Sequence, residues 1–199
     1  MEKKHLIILG AEESFARAVA LGVHVKRPLT AWHFLLPGMF VFDLLRRSSG
    51  ARRYSTLFVF PRKLALGGAL DILNGENRKN ILSRIEEEIR QWLTSLKLYS
   101  GRLLRGHTEE VDLLIDHYSK LLHAEGNNYH TLVKNAYKNR EQYEAYLHRL
   151  AAAEEEVDRA IGEIHGEAGD IWERLRAEQV QVRELREKEV NQIFPGTEW

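Results

Sequence analysis

Apolar residues recur along much of this chain at three- and four-residue steps, the spacing of an amphipathic helix rather than of a strand. Ile81, Ile85, Ile89, Trp92, Leu96, Tyr99 and Leu103 form one such stripe and predict a helix from about Asn77 to Leu104. Gly75 ahead of it, with Gly101 and Gly106 near its end, are expected as punctuation. A second helix is expected near Thr108, where Glu109 and Glu110 suit the positive end of the helix dipole. Its apolar face is Val111, Leu114, Tyr118 and Leu121, out of phase with the preceding stripe, so two antiparallel helices are expected rather than one rod. The segment from His123 to Asn128 carries Gly126, Asn127 and Asn128 in succession and predicts a corner.

From Tyr129 the pattern resembles a coiled-coil seam. Tyr129, Leu132, Asn139, Tyr143, Tyr146, Leu150, Val157 and Ile164, with Ala136, Ala153 and Ala160 between them, follow alternating three and four spacing and form a candidate self-association seam. Charged residues fill most other positions, the run Glu154, Glu155 and Glu156 reading as a solvated face. Asn139 falls at a seam position, where a buried amide fixes register. An unbroken helix from Tyr129 to Ile193 would be about 98 Å long at 1.5 Å per residue. A compact domain of this size has a radius of gyration of only about 16 Å. Gly162, Gly166 and Gly169 share one helical face and are the expected hinge, since each interior glycine costs about 1 kcal/mol relative to alanine.

The first third is less regular. Glu12 to Val23 and Leu64 to Leu73 read as helices, and Leu29 to Arg47 as a helix interrupted at Pro37 and Gly38. Thr56 to Phe60 is β-branched and aromatic, but only Leu6 to Leu9 offers a partner, and an isolated strand pair is marginal. The fold class expected is therefore all-α: a helical bundle of long antiparallel, coiled-coil-like helices (residues 76–199) behind a basic, aromatic-rich helical unit (residues 1–75).

Composition sharpens this division. The 199 residues carry 29 basic and 29 acidic side chains, a formal net charge of zero. Residues 1–75 hold 11 basic and 5 acidic ones, or +6, leaving −6 for the remainder. Such asymmetry points either to an anionic partner for the basic part or to the two parts packing on each other. The absence of cysteine excludes disulfide scaffolds, thiolate metal sites and cysteine nucleophiles. Glu12 and Glu13 end the first apolar run too early for a secretory signal. The longest apolar stretch, Leu29 to Leu45, contains His33, Pro37 and Asp43 and falls short of the ~20 residues a bilayer span needs. A cytoplasmic protein is expected, with peripheral membrane association.

That association rests on the segment from Lys26 to Lys63, where eight basic residues accompany one acid and five of the seven phenylalanines fall. Trp32, Phe40, Phe42 and Phe58, with Lys26, Arg27, Arg46, Arg47, Arg52, Arg53, Arg62 and Lys63, are the candidate contacts to an anionic surface: rings at the headgroup level, cations on phosphates. A globular core built from the same aromatics is the competing reading. Nucleic acid is the less favoured anion, given a sequence pI near 7.2.

Asp112, Asp116 and His123 share a helical face and make a candidate metal trio, although the Glu-x-x-His pairs of dinuclear bundle sites are absent. No nucleophile elbow, Walker loop or Gly-x-Gly-x-x-Gly occurs, so nothing implies catalysis or a cofactor. The function expected is a non-catalytic interaction or scaffold protein that self-associates through its carboxy-terminal helices, engages a protein partner and docks on an anionic membrane. The alternative is a helical bundle that binds a metal or small ligand with histidines and acids of its long helices.

Overall fold

The computed structural model describes residues 2–25, 57–165 and 169–196, and every regular element among them is an α-helix. These are α1 (Glu2–Val25), α2 (residues 57–73), α3 (Arg78–Ser95), α4 (Gly101–His123), α5 (Tyr129–Tyr137), α6 (Arg140–His165) and α7 (Gly169–Ile193). The all-α expectation holds. Residues 57–60 of the β-branched stretch are helical, as is the segment from Leu6 to Leu9 that would have been their strand partner.

Side-chain pairs give the topology. Phe15 meets Phe58 and Glu13 meets Lys63 between α1 and α2, while Phe60 stacks on Trp92 between α2 and α3. Trp92 meets His107 and Arg78 meets Asp116 between α3 and α4, and His117 stacks on Tyr146 while Arg102 pairs with Glu163 between α4 and α6. Gln179 bonds Asp158 and Arg186 bonds Glu154 between α6 and α7. Residue numbers rise on one helix as they fall on the other at these interfaces, so successive long helices are antiparallel. Arg186 of α7 also lies against the ring of Phe15, which closes the bundle back onto α1.

Capping explains where the chain turns. After α2, Gly75 takes φ 96°, while the Gly75 and Glu76 amides bond the Ile72 and Asp71 carbonyls, a Schellman close in which glycine avoids a Cβ penalty. The helix expected from Asn77 to Leu104 is divided in the structure. Lys97 adopts φ 59°, its amide and that of Leu98 bond the Thr94 and Leu93 carbonyls, and α3 ends. Ser100 then caps α4 by accepting from the Leu103 amide. Lys97 does what glycine usually does, so the sequence carried no glycine signal there. Gly101 and Gly106, expected near a helix end, lie at the start and inside of α4. At Gly106 a Cβ would sit 3.1 Å from Val157 Cγ2, so its bareness lets α4 and α6 approach. The corner expected between His123 and Asn128 is present, and Asn128 and Thr131 form a capping box for α5.

The seam expected to run on from Tyr129 is interrupted. Lys138 takes φ 63°, and Asn139 sits outside both helices, where its Oδ1 accepts from the Gln142 amide. Asn139 is thus a helix cap and not a buried register amide. Leu132, Tyr143, Tyr146, Leu150 and Val157 are buried against the chain's own helices in one hydrophobic cluster, Tyr129 packs at its edge, and Ile164 is exposed. Ile8, Ala65 and Leu66 belong to the same cluster, so residue 75 marks a turn within a shared core. Of the expected hinge, Gly162 lies inside α6 beneath the ring of Trp172, Gly169 opens α7, and Gly166 lies outside the described residues. Among the described residues no helix is long and apolar enough to cross a membrane.

Candidate functional site

The centre of the bundle is polar. Arg62 of α2 is 4% exposed, and its guanidinium reaches three other helices. Its Nε lies 3.1 Å from Glu12 of α1, Nη1 3.4 Å from Glu110 of α4 and Nη2 2.8 Å from Glu154 of α6. Nη1 also donates to the Phe58 carbonyl at 2.9 Å, and the guanidinium carbon sits 3.6 Å from the centre of the Phe58 ring. Arg186 of α7 grips Glu154 with two parallel bonds of 2.7 and 2.8 Å. His107 Nδ1 approaches Glu110 Oε2 at 3.0 Å.

Burial works against the charge on Arg62, but Glu110, Glu12 and Glu154 outweigh it and hold its pKa above the ordinary value. Burial likewise disfavours ionised Glu110, yet the His107 hydrogen bond and Arg62 bring its pKa below the usual carboxylate value. A guanidinium is suited to this place because its planar fork serves several carboxylates and keeps its proton at any working pH.

An aromatic box adjoins these charges. His117 is 2% exposed and stacks on Tyr146 with ring centres 4.3 Å apart and planes 8° from parallel. Its Nδ1 meets the Tyr137 hydroxyl at 2.7 Å and its Nε2 the Tyr129 hydroxyl at 3.4 Å, a donor and an acceptor as neutral imidazole requires. Burial, with Lys120 and Arg186 adding to it, pushes the His117 pKa down to about 3. Burial also raises Tyr118, Tyr129, Tyr143 and Tyr146 well above the ordinary phenol value, so their hydroxyls stay neutral. The Tyr143 hydroxyl bonds Glu189 of α7, whose carboxyl is raised by burial and by the nearby Glu12, against the Tyr143 bond.

Between charges and rings lies a chamber of about 380 Å³, lined by Glu12, Phe15, His117, Tyr129, Tyr143, Tyr146, Arg186 and Glu189 among others. A larger cleft of about 670 Å³ lies on the other side of Arg62, Glu110 and Glu154, where Trp92, Leu103, Val157, Ile161 and Val182 give it an apolar wall. Arg62 and Arg186 border both spaces, so the ion network is a partition between them.

The residues expected from the sequence fall elsewhere, with a few exceptions. Lys26, Arg27, Trp32, Phe40, Phe42, Arg46, Arg47, Arg52 and Arg53 lie outside the described residues. Phe58 and Arg62, expected at an anionic surface, instead stack inside the bundle, because three carboxylates supply Arg62 with an internal anionic partner. Lys63 is exposed and pairs with Glu13 at 3.2 Å. Asp112 and Asp116 do share a face, but both bind Arg78 at 2.6 Å, and His123 Nδ1 donates to the Ser119 carbonyl. Among the described residues no group of three or more histidines and acids is placed to hold a metal ion. Tyr129, Tyr143, Tyr146 and Leu150 are the seam residues that do line the chamber.

Glu12, Glu110, Glu154, Arg186, Glu189 and His117 were not singled out as site residues from the sequence. Glu110 read as a dipole-compensating first-turn acid and Glu154 as part of a solvated face. The available signal was the tyrosines: five of them on apolar stripes carry hydroxyls that need partners once buried. Comparison of the chain with protein-family models, with curated proteins and with solved structures found no match, so the reading of this site rests on its own geometry.

Proposed function

We propose that this protein is a non-catalytic helical bundle that binds a small molecule in the chamber between α1, α6 and α7. The observation that carries the reading is the chamber's lining. Its volume of about 380 Å³ falls in the range of ligand pockets, and its wall combines aromatic rings with a few convergent charged groups. A bundle built for stability alone would gain by filling the same space with apolar side chains, since replacing buried ion pairs by packed hydrophobes is often neutral or stabilising by about 1–4 kcal/mol. Self-association through the expected seam is disfavoured, because its central residues are already in contact with the chain's own helices.

Thermal unfolding in the presence of matched panels of amines, carboxylates, phosphates and neutral polyols tests the reading. A saturable rise in melting temperature with one class is the expected result, about 2.7 kcal/mol of stabilisation at 100 times the dissociation constant. No rise with any class overturns it. Docking on an anionic membrane through the segment 26–56 is a separate proposal resting on its composition of cations and aromatics. Co-sedimentation with anionic but not neutral vesicles, weakened by salt, is its expected signature, and equal negligible binding to both would remove it.

A further inference from the structure

We infer that the chamber takes an organic ammonium ion, its charge paired with the Glu189 carboxylate and its carbon atoms packed among the rings of Tyr129, Tyr143 and Tyr146. The inference deepens the proposed function and rests on it. Glu189 lines the chamber from α7, and among the described residues its side chain has the Tyr143 hydroxyl as a hydrogen-bond partner but no cation within ion-pair distance. The other acids of the centre are paired: Glu12, Glu110 and Glu154 with Arg62, and Glu154 also with Arg186.

The two arginines of the wall are correspondingly committed, and Lys188, which also lines it, is exposed. Arg62 spends its donors on the Phe58 carbonyl and three carboxylates, and Arg186 holds Glu154 with both terminal nitrogens. An entering anion would compete with those carboxylates for them, whereas an entering ammonium meets a carboxylate without a basic partner. The surrounding rings favour the same charge. Tyr143 and Tyr146 lie 6.0 Å apart, and a cation within about 6 Å of an aromatic centre is attracted by its quadrupole.

The test is calorimetric titration of the full chain with benzylamine, choline, benzyl alcohol and benzoate. At least one of the two ammonium probes is expected to bind saturably, with the neutral alcohol and the anion at least 10-fold weaker. Glu189→Gln, which keeps an acceptor for Tyr143, is expected to retain the parent's unfolding midpoint and weaken the ammonium probe at least 10-fold. The comparison of the probes on the parent chain stands even if that variant fails to fold. Preferential binding of benzoate or of the alcohol overturns the ammonium assignment and leaves the small-molecule reading intact, and ammonium affinity unchanged in a folded Glu189→Gln also overturns it. Absence of binding by all four probes overturns the ammonium assignment, and failure of the wider panels as well removes the small-molecule reading.

Discussion

Replacing Arg62 by methionine keeps most of the side-chain volume and removes the one group that touches Glu12, Glu110 and Glu154 together. In Arg62→Met, Arg186 still neutralises Glu154, but Glu12 loses its only cation within 4 Å among the described ion pairs, and Glu110 keeps only His107. Breaking a buried ion pair from one side costs about 3–5 kcal/mol, since the partner's charge stays desolvated. For a chain of this size that lowers the melting temperature by roughly 6–20 °C. The sign of the pH dependence follows from Glu110. Its pKa in the folded parent is lowered from 4.5, so its contribution to stability is present above that value and lost as pH falls through the folded pKa. The variant lacks much of this contribution, so the gap between parent and variant is largest near pH 7 and narrows toward pH 4. Urea unfolding of both proteins at pH 7, 5 and 4, in low and moderate salt, measures this directly. A deficit below about 1 kcal/mol at pH 7, or one that stays constant with pH, would refute the buried-network account, because only a solvated pair is worth that little.

Three further outcomes follow. The His117 pKa near 3 against an ordinary 6.5 means the unfolded chain binds a proton that the folded one does not, so stability is lost as pH falls from 6.5 toward 3, by about 5 kcal/mol in full; in His117→Phe the slope of unfolding free energy over that window is expected to flatten. Asp158 behaves oppositely: burial pushes its pKa from 3.8 up to about 6, so stability is lost as pH rises through that interval, and Asp158→Asn is expected to add about 2–3 kcal/mol at pH 8 and almost nothing at pH 3.5 in chemical denaturation. Gly10 of α1 has open space where a Cβ would stand, while a Cβ at Gly162 would meet the Trp172 ring; Gly10→Ala is expected to stabilise by about 0.5–1 kcal/mol and Gly162→Ala to destabilise, both read as shifts in urea midpoint.

The sequence by itself determined the helical character of the chain and much of its antiparallel layout. Ile81, Ile85 and Ile89 repeat at helical spacing, Gly126, Asn127 and Asn128 form a turn-prone run, and no proline interrupts residues 62–194, all local properties of backbone and side chain. It misjudged two junctions for a local reason as well: Lys97 and Lys138 adopt positive φ without being glycine, a conformation that neighbouring hydrogen bonds and packing impose and that residue identity does not announce. What only the tertiary structure decided was the fate of the charges. Arg62 read from sequence as one member of a basic surface run and Glu154 as one of a solvated trio, because helical periodicity gives each side chain a face but not the element that face meets. Folding brings α1, α2, α4, α6 and α7 around one point, and a guanidinium that would cost much to desolvate alone becomes stable there only because Glu12, Glu110 and Glu154 arrive from three different helices. At Arg62 one cation of the basic first part meets Glu110 and Glu154 of the acidic remainder inside the bundle, by contacts 48 and 92 residues apart in sequence.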